Sequence, residues 1–129
     1  MNIYEVQPIF SHPTHPFELT IDAPGSKSIT NRALMLAALA NGETLLKGAL
    51  FSDDSRHFLQ CLKDLGFDVV VDEPAHTVRV TGLGGRIPKE TAAINVGSAG
   101  TAARFLTAML GCAKGVWHLD ASEQMKKRP

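Results

Sequence analysis

The chain has 129 residues, 44% hydrophobic and 20% charged, with 13 Lys and Arg against 13 Asp and Glu. That length supports one modest core, either a small domain or part of a larger one. The neutral balance argues against a general polyanion binder such as a nonspecific DNA protein, so any anion site must be a local concentration of positive charge. Neither of the two cysteines, Cys61 and Cys112, belongs to a CxxC pair. Both fall in apolar helical contexts and are expected to be buried, reduced thiols. The N-terminus lacks a basic region followed by an apolar one, and the longest apolar run, Ala33 to Ala40, is far too short to cross a bilayer. A soluble, cytoplasmic protein is expected.

Ile3 to Phe10 reads as a strand, and Ser11 to Pro16 as a breaker, because its prolines favour turn and extended backbone. Phe17 to Asp22 alternates apolar and polar residues, the pattern of a half-buried strand, and Pro24-Gly25 ends it. Ser26 to Asn41 is the clearest helix, with Ser26 as N-cap and a run of Ala and Leu behind it. It is apolar nearly all round, which predicts burial between layers. Asn41-Gly42 is its stop. Glu43 to Leu50 reads as a strand and Ser52 to Leu65 as a second helix, capped by Ser52 or Asp53, with Asp53 and Asp54 at the positive end of its dipole. Phe67 to Val71 and Thr77 to Thr81 form a plausible hairpin. Ala92 to Val96 is a short strand, Ala99 or Gly100 to Ala113 a third helix, and Val116 to Asp120 another strand. The order is an α/β pattern in which a strand–helix–strand opening begins again at Ala92. The second unit is unfinished at Pro129, and a truncated chain is expected.

The chemistry concentrates at two helix starts. Pro24-Gly25-Ser26-Lys27-Ser28-Ile29-Thr30-Asn31-Arg32 sets hydroxyls, an amide, a lysine and an arginine at the head of the first helix. Ser28 and Arg32 are a helical turn apart and share a face, as do Lys27 and Asn31. Free N–H groups there add partial positive charge, lysine supplies a mobile point charge, and arginine supplies a fork that matches carboxylate or phosphate. An ordinary capped helix with solvent-facing Lys and Arg is an equal reading of the local pattern. The segment is not a Walker A loop, since Thr20 stands where the earlier glycine would be. Gly97-Ser98-Ala99-Gly100-Thr101-Ala102-Ala103-Arg104 offers a similar chemistry before the third helix, without the GxGxxG spacing of a dinucleotide site. Its small residues also suit tight packing of helix on strand, and Arg104 is open between ligand contact and buttressing of the loop. Asp53-Asp54-Ser55-Arg56-His57 reads as helix N-terminal electrostatics rather than metal ligation, and one of its aspartates could pair with Lys27 and orient it. Lys126-Lys127-Arg128-Pro129 is a basic run placed after a strand end, where α/β sites gather.

Pro24-Gly25-Ser26-Lys27-Ser28-x-x-Asn31-Arg32, Asp53-Asp54-x-Arg56-His57, Gly100-Thr101-Ala102-x-Arg104 and Arg128-Pro129, in this order and spacing, resemble the 5-enolpyruvylshikimate-3-phosphate synthase (3-phosphoshikimate 1-carboxyvinyltransferase) family. The resemblance covers nearly the whole chain and corresponds to roughly the first third of a family member. It implies a step of the shikimate pathway, in aromatic amino acid biosynthesis. The enolpyruvyl group of phosphoenolpyruvate moves to the 5-hydroxyl of shikimate 3-phosphate by addition and elimination, with no metal or organic cofactor. The implied fold is an inside-out α/β barrel of two domains built from βαβαββ units. Residues 1–16 would belong to the opposite domain, 17–82 would be one complete unit and 92–129 part of a second. The resemblance further implies that Lys27 contacts phosphoenolpyruvate and the reacting hydroxyl region, as the catalytic residue of this piece. Ser28 and Arg32 would bind shikimate 3-phosphate, Gly100 would give a backbone contact to phosphoenolpyruvate, and Arg128 would grip its anionic groups. Thr101 and Arg104 would shape the loop, and Asp54 would support Lys27. Ser98 stands where many members carry Asn, and Phe105 where some carry Pro, while Gly100 matches the form typically sensitive to the inhibitor glyphosate. The implied partners are the two substrates and the missing C-terminal portion, with no nucleic acid and no membrane. The family's acid/base residues would lie beyond Pro129, so the piece alone is expected not to be catalytically competent. Two other readings compete. One is the sister transferase acting on UDP-N-acetylglucosamine, for whose loop cysteine Cys112 is badly placed. The other is a noncatalytic anion-binding module.

Overall fold

The computed structural model describes Glu5 and residues 20–127. Chain order is α1 (Lys27–Leu39), β1 (Asn41–Lys47), α2 (Asp53–Asp64), β2 (Asp68–Asp72), β3 (Thr77–Leu83), β4 (Thr91–Asn95), α3 (Gly100–Gly111), β5 (Val116–Asp120) and α4 (Glu123–Lys126). The architecture is α/β, as the alternation of elements predicts. The strand expected over Ile3 to Phe10, the breaker after it and the Phe17–Leu19 part of the next strand lie outside the described residues. Among the described residues Thr20 to Asp22 pair with no strand, whereas the alternation predicts a strand as far as Asp22. The α4 turn was not anticipated. It arises because Ser122 accepts a hydrogen bond from the Met125 N–H and caps it.

Two sheets result. β3 is the centre of a three-stranded antiparallel sheet in the order β1-β3-β2. The β2–β3 hairpin has Asp72 opposite Thr77. Its turn is closed by the His76 N–H on the Glu73 carbonyl and the Ala75 N–H on the Asp72 carboxylate. β4 and β5 form a parallel pair with Ile94 opposite Leu119. Val78 and Val80 point inward from β3, while Arg79 between them is exposed, the period-two pattern of a sheet with one covered face.

The core joins Leu34, Ala37 and Ala38 of α1, Phe58, Leu59 and Leu62 of α2, and Ala102, Leu106 and Leu110 of α3 to the inward residues of both sheets. The three helices pack against one another, and α1 also packs on β3. The near-continuous apolar surface of α1 predicts full burial, and this is corrected. Ile29 is 69% and Leu36 68% exposed, because α2, α3 and β3 cover only the face bearing Thr30, Asn31, Leu34, Ala37 and Ala38. The stop of α1 also differs from the expected Asn41-Gly42. The helix ends at Leu39, and Asn41 is already the first residue of β1. The Ala40 carbonyl left open at this end accepts the Gly84 N–H at 2.8 Å. This juncture requires Gly82, since a Cβ there would run into the carbonyl oxygens of Ala37 and Ala40.

The cysteines divide. Cys61 is buried as expected, and its thiol donates to the Asn95 carbonyl at 3.4 Å. Burial, reinforced by nearby Asp64, pushes this thiol from 9.0 up to about 11. The raised folded value means that the neutral thiol's contribution is present below 9.0 and is lost as pH climbs through about 11. Cys112 corrects the expectation of burial. α3 ends at Gly111, two residues short of the expected Ala113, which leaves Cys112 exposed as its C-cap.

Two measurements follow from this packing. Gly82→Ala should lower stability by about 1–3 kcal/mol through backbone displacement. Gly111→Ala, where nothing lies near the added methyl, should raise it by up to about 1 kcal/mol. Urea midpoints compare the two. Iodoacetamide at about pH 8 should modify Cys112 in the folded protein and reach Cys61 only after unfolding, as read by peptide mass.

Candidate functional site

Contacts between the helices set their relative direction. Lys27 is the first residue of α1 and Asp54 the second of α2, and Lys27 Nζ lies 3.1 Å from Asp54 Oδ2. Further along, Arg32 of α1 lies over the Phe105 ring of α3, with its Cζ 5.7 Å from the centroid. Gly97, just ahead of α3, sits against the His57 imidazole of α2. The N-terminal turns of α1, α2 and α3 therefore open at one end of the molecule. Their dipoles there add partial positive charge, against which Asp53 and Asp54 stand as the local negative charges.

The Pro24–Arg32 segment is held firmly at its start. The Ser26 hydroxyl accepts the Ile29 N–H at 3.4 Å, as the N-cap reading predicts. Gly25 approaches the Gly48 carbonyl so closely that a Cβ would clash with it, and the Leu50 N–H donates to Thr30 Oγ1 at 3.0 Å. These ties fix where α1 begins. Ser28 and Arg32 do share a face, and Arg32 Nη1 donates to the Ser28 carbonyl at 2.9 Å. Both side chains are exposed. Asn31 is different. It is fully buried, and neither polar atom of its amide has a partner among the described residues, so it is not one of the exposed groups at this end.

The second turn is built by Gly97 together with residues outside the Gly97–Arg104 segment. Gly97 has φ +55, a conformation that favours glycine, and its N–H donates to Asn95 Oδ1 at 2.8 Å. A Cβ on Gly97 would run into the His57 ring. α3 then starts at Gly100 without a side-chain cap on Ala99, whereas α1 and α2 are capped by Ser26 and Ser52. The first three N–H groups of α3, at Gly100, Thr101 and Ala102, have no hydrogen-bond partner among the described residues, the third because no side chain caps it. Gly100 and Thr101 are half-buried and Arg104 is exposed. Arg104 makes no ion pair or side-chain hydrogen bond among the described residues. Asp54 is the aspartate that meets Lys27. Arg56 instead forks onto Glu73, with bonds of 2.7 and 3.2 Å, and packs on Phe51 as a structural strut.

After β5, Lys126 pairs with Asp120 at 2.9 Å and Glu123 at 3.1 Å. The basic run is therefore partly spent on local structure. Arg128 lies outside the described residues. An open cleft of about 880 Å³ adjoins the site, lined by Asp53, Asp54, His57, Asn95, Gly97 and Ser98 among others. It does not include Lys27 or Arg32, and its carboxylates make it the less anion-friendly side. Sequence reasoning missed Asn95 and Ser122 as builders of this end, and it named Thr30, His57 and Phe105 without assigning them these contacts. Only Asn95, an Asn two residues before a glycine, carried a recognisable turn signal.

Residues 12–129 match the family model described as EPSP synthase (3-phosphoshikimate 1-carboxyvinyltransferase). A 3-phosphoshikimate 1-carboxyvinyltransferase of Trichormus variabilis is 46% identical over 114 residues, covering 88% of this chain and 27% of that protein. One from Rhizobium etli is 49% identical over 106 residues, covering 82% of this chain and 25% of that protein. Among solved structures, EPSP synthase from Acinetobacter baumannii superposes with a TM-score of 0.72 at 29% identity, over 84% of this chain and 24% of its own. The chain thus spans about a quarter of the length of the curated relatives it matches.

The Asp120–Lys126 tie has a defined pH window. The Lys126 hydrogen bond holds the Asp120 carboxyl below its ordinary 3.8, so this contribution is present above 3.8 and is lost as pH falls through the lowered value. Asp120, then Glu123, raises the Lys126 ammonium above 10.5, so its contribution is present below 10.5 and is lost as pH rises through the raised value. Amide shifts of Met125 and Lys126 should move as pH falls below 3.8 and as it rises above 10.5. Asp120→Asn should abolish the part of the acid limb due to this carboxyl.

Proposed function

Because the chain belongs to the EPSP synthase (3-phosphoshikimate 1-carboxyvinyltransferase) family, we propose that it is the N-terminal portion of an enzyme that moves the enolpyruvyl group of phosphoenolpyruvate onto the 5-hydroxyl of shikimate 3-phosphate. The observation that carries this reading is the Lys27–Asp54 pair at the shared N-terminal end of three helices, with Arg32 exposed one turn behind. That end suits two anionic substrates, since helix dipoles and cations act on the same small region.

In the proposed reaction, the 5-hydroxyl gives its proton to a base as its oxygen adds to the central carbon of phosphoenolpyruvate, while the methylene carbon takes a proton from an acid. The tetrahedral adduct then expels phosphate and gives up a methyl proton to form the enol ether. The proposed role of Lys27 is to place its ammonium beside the reacting oxygen and the phosphoenolpyruvate anion, with the Asp54 carboxylate fixing its direction. Ser28 and Arg32 take shikimate 3-phosphate, Arg32 through the substrate carboxylate. The backbone at Gly100 contacts phosphoenolpyruvate, Arg128 grips its anionic groups, and Thr101, a further substrate-binding residue, shapes the loop together with Arg104. These groups bind and orient. The proton-transfer groups belong, in this proposal, to the portion of the enzyme that follows. Residues 17–82 would then be one βαβαββ unit and 92–129 the start of another, with 1–16 in the opposite domain. The β4-α3-β5-α4 order, which repeats the opening of such a unit, supports that division. A cytoplasmic setting is part of the same proposal and is supported by cysteines carried as thiols.

The chain alone should release no phosphate from the two substrates, and adding the separately expressed remainder of the enzyme should restore release. In amide-resolved titrations, shikimate 3-phosphate should shift Lys27, Ser28 and Arg32. Arg32→Ala should weaken that binding by about tenfold or more, and Arg32→Lys should recover part of it. Absence of any response at these residues to millimolar substrate in the complemented protein would overturn the assignment.

A further inference from the structure

The strands β4 and β5 run parallel, and at their C-terminal ends the chain continues into α3 and into α4. Ligand sites in open α/β sheets lie outside the carboxyl ends of the strands. The two departing segments are joined here. The Val96 N–H donates to the Asp120 carbonyl and the Ser122 N–H to the Gly97 carbonyl, both at 2.9 Å. One step further out, the hydroxyls of Ser98 and Ser122 meet at 2.8 Å.

Ser122 Oγ also accepts the Met125 N–H at 3.2 Å as the cap of α4, and it keeps its proton and a second lone pair, so either hydroxyl of the pair can donate to the other. A serine that caps α4 thereby also holds the turn that aims the open amides of α3. The other restraints on the turn are the Ser122 N–H on the Gly97 carbonyl, the Ala99 N–H on the Val96 carbonyl, the Gly97 N–H on Asn95 Oδ1 and the His57 ring against Gly97, and among these the Ser98–Ser122 contact is the one that holds Ser98 itself.

We propose that the Ser98–Ser122 hydroxyl pair is a latch between the two exits of the parallel sheet. It holds the Gly97–Gly100 turn in register with α4 and so sets the affinity of the α3 amides for phosphoenolpyruvate. Ser98 and Ser122 are positioning residues in this account, acting through the turn. The affinity part rests on the substrate reading above, whereas the mechanical part does not.

Ser98→Thr keeps the hydroxyl and Ser98→Val removes it at nearly equal volume, while both leave the Ser122 cap intact. Ser98→Val should weaken phosphoenolpyruvate binding about 3-fold to 10-fold, and should speed hydrogen exchange of the Met125 and Lys126 amides by about 3-fold or more. Ser98→Thr should match the parent chain in both. Ser122→Ala should weaken binding similarly, and the Ser98→Val/Ser122→Ala double variant should bind no more weakly than the weaker single variant. Equal behaviour of the Val and Thr variants, or additive losses in the double variant, would overturn the latch. Binding is read in the protein complemented with the remainder of the enzyme, and failure of that protein to bind phosphoenolpyruvate would count against the substrate reading alone. The latch would then stand or fall on the Val-against-Thr exchange rates.

Discussion

Burial of one shared apolar seam between α1, α2 and α3 is the constraint on which the rest depends. Leu34, Phe58, Leu62 and Leu106 are fully buried. They can be so only if the three helices lie side by side, and Arg32 over Phe105 and Lys27 against Asp54 show which way they point. With the helices aligned in this way, their N-terminal turns must open together. The positive end of each dipole, the lysine and the arginine then meet in one place without any further device. The Lys27–Asp54 bridge is partly exposed and adds little to stability by itself. Its importance lies in direction, because it restrains a long flexible side chain at the point where an anion would be met.

Close backbone approach is the second ordering principle. Gly82 admits β3 to the end of α1, Gly25 brings the start of α1 against the Gly48 turn, and Gly97 lets the α3 turn rest on His57. Each contact joins a helix end to a neighbouring element, so the helix starts are located by packing rather than by loop conformation alone. The parallel β4–β5 pair extends the same logic. Its C-terminal ends are bridged by backbone bonds before the chain divides, so α3 and α4 begin from a common platform.

Local signals were sufficient for most elements. Alternation along Thr77–Leu83, serine caps at Ser26 and Ser52, and the turn chemistry after Asp72 have their causes within a few residues, and they survive into the fold. The failures share a cause. The exposed face of α1, the exposed Cys112 and the early end of α1 all depend on what lies opposite a residue, which periodicity does not contain. Among site residues, the helical spacing of Ser28 and Arg32 is local and could be read. Asn31 looked equally eligible from the same segment, yet it faces the core.

The sequence by itself determined the α/β class, the two glycine-bearing turns ahead of helices and the set of residues at them, because caps, glycines and apolar periods act over a single helical turn or strand. It also determined family membership, since motif order and spacing are properties of the chain alone. Only the tertiary structure decided that Asp54 rather than Asp53 meets Lys27, that Arg32 rests on Phe105, and that Ser122 reaches back to Ser98. Those are contacts between elements distant in the chain. Their geometry is set by how side chains fill the shared seam, a result of three-dimensional packing that no local pattern encodes.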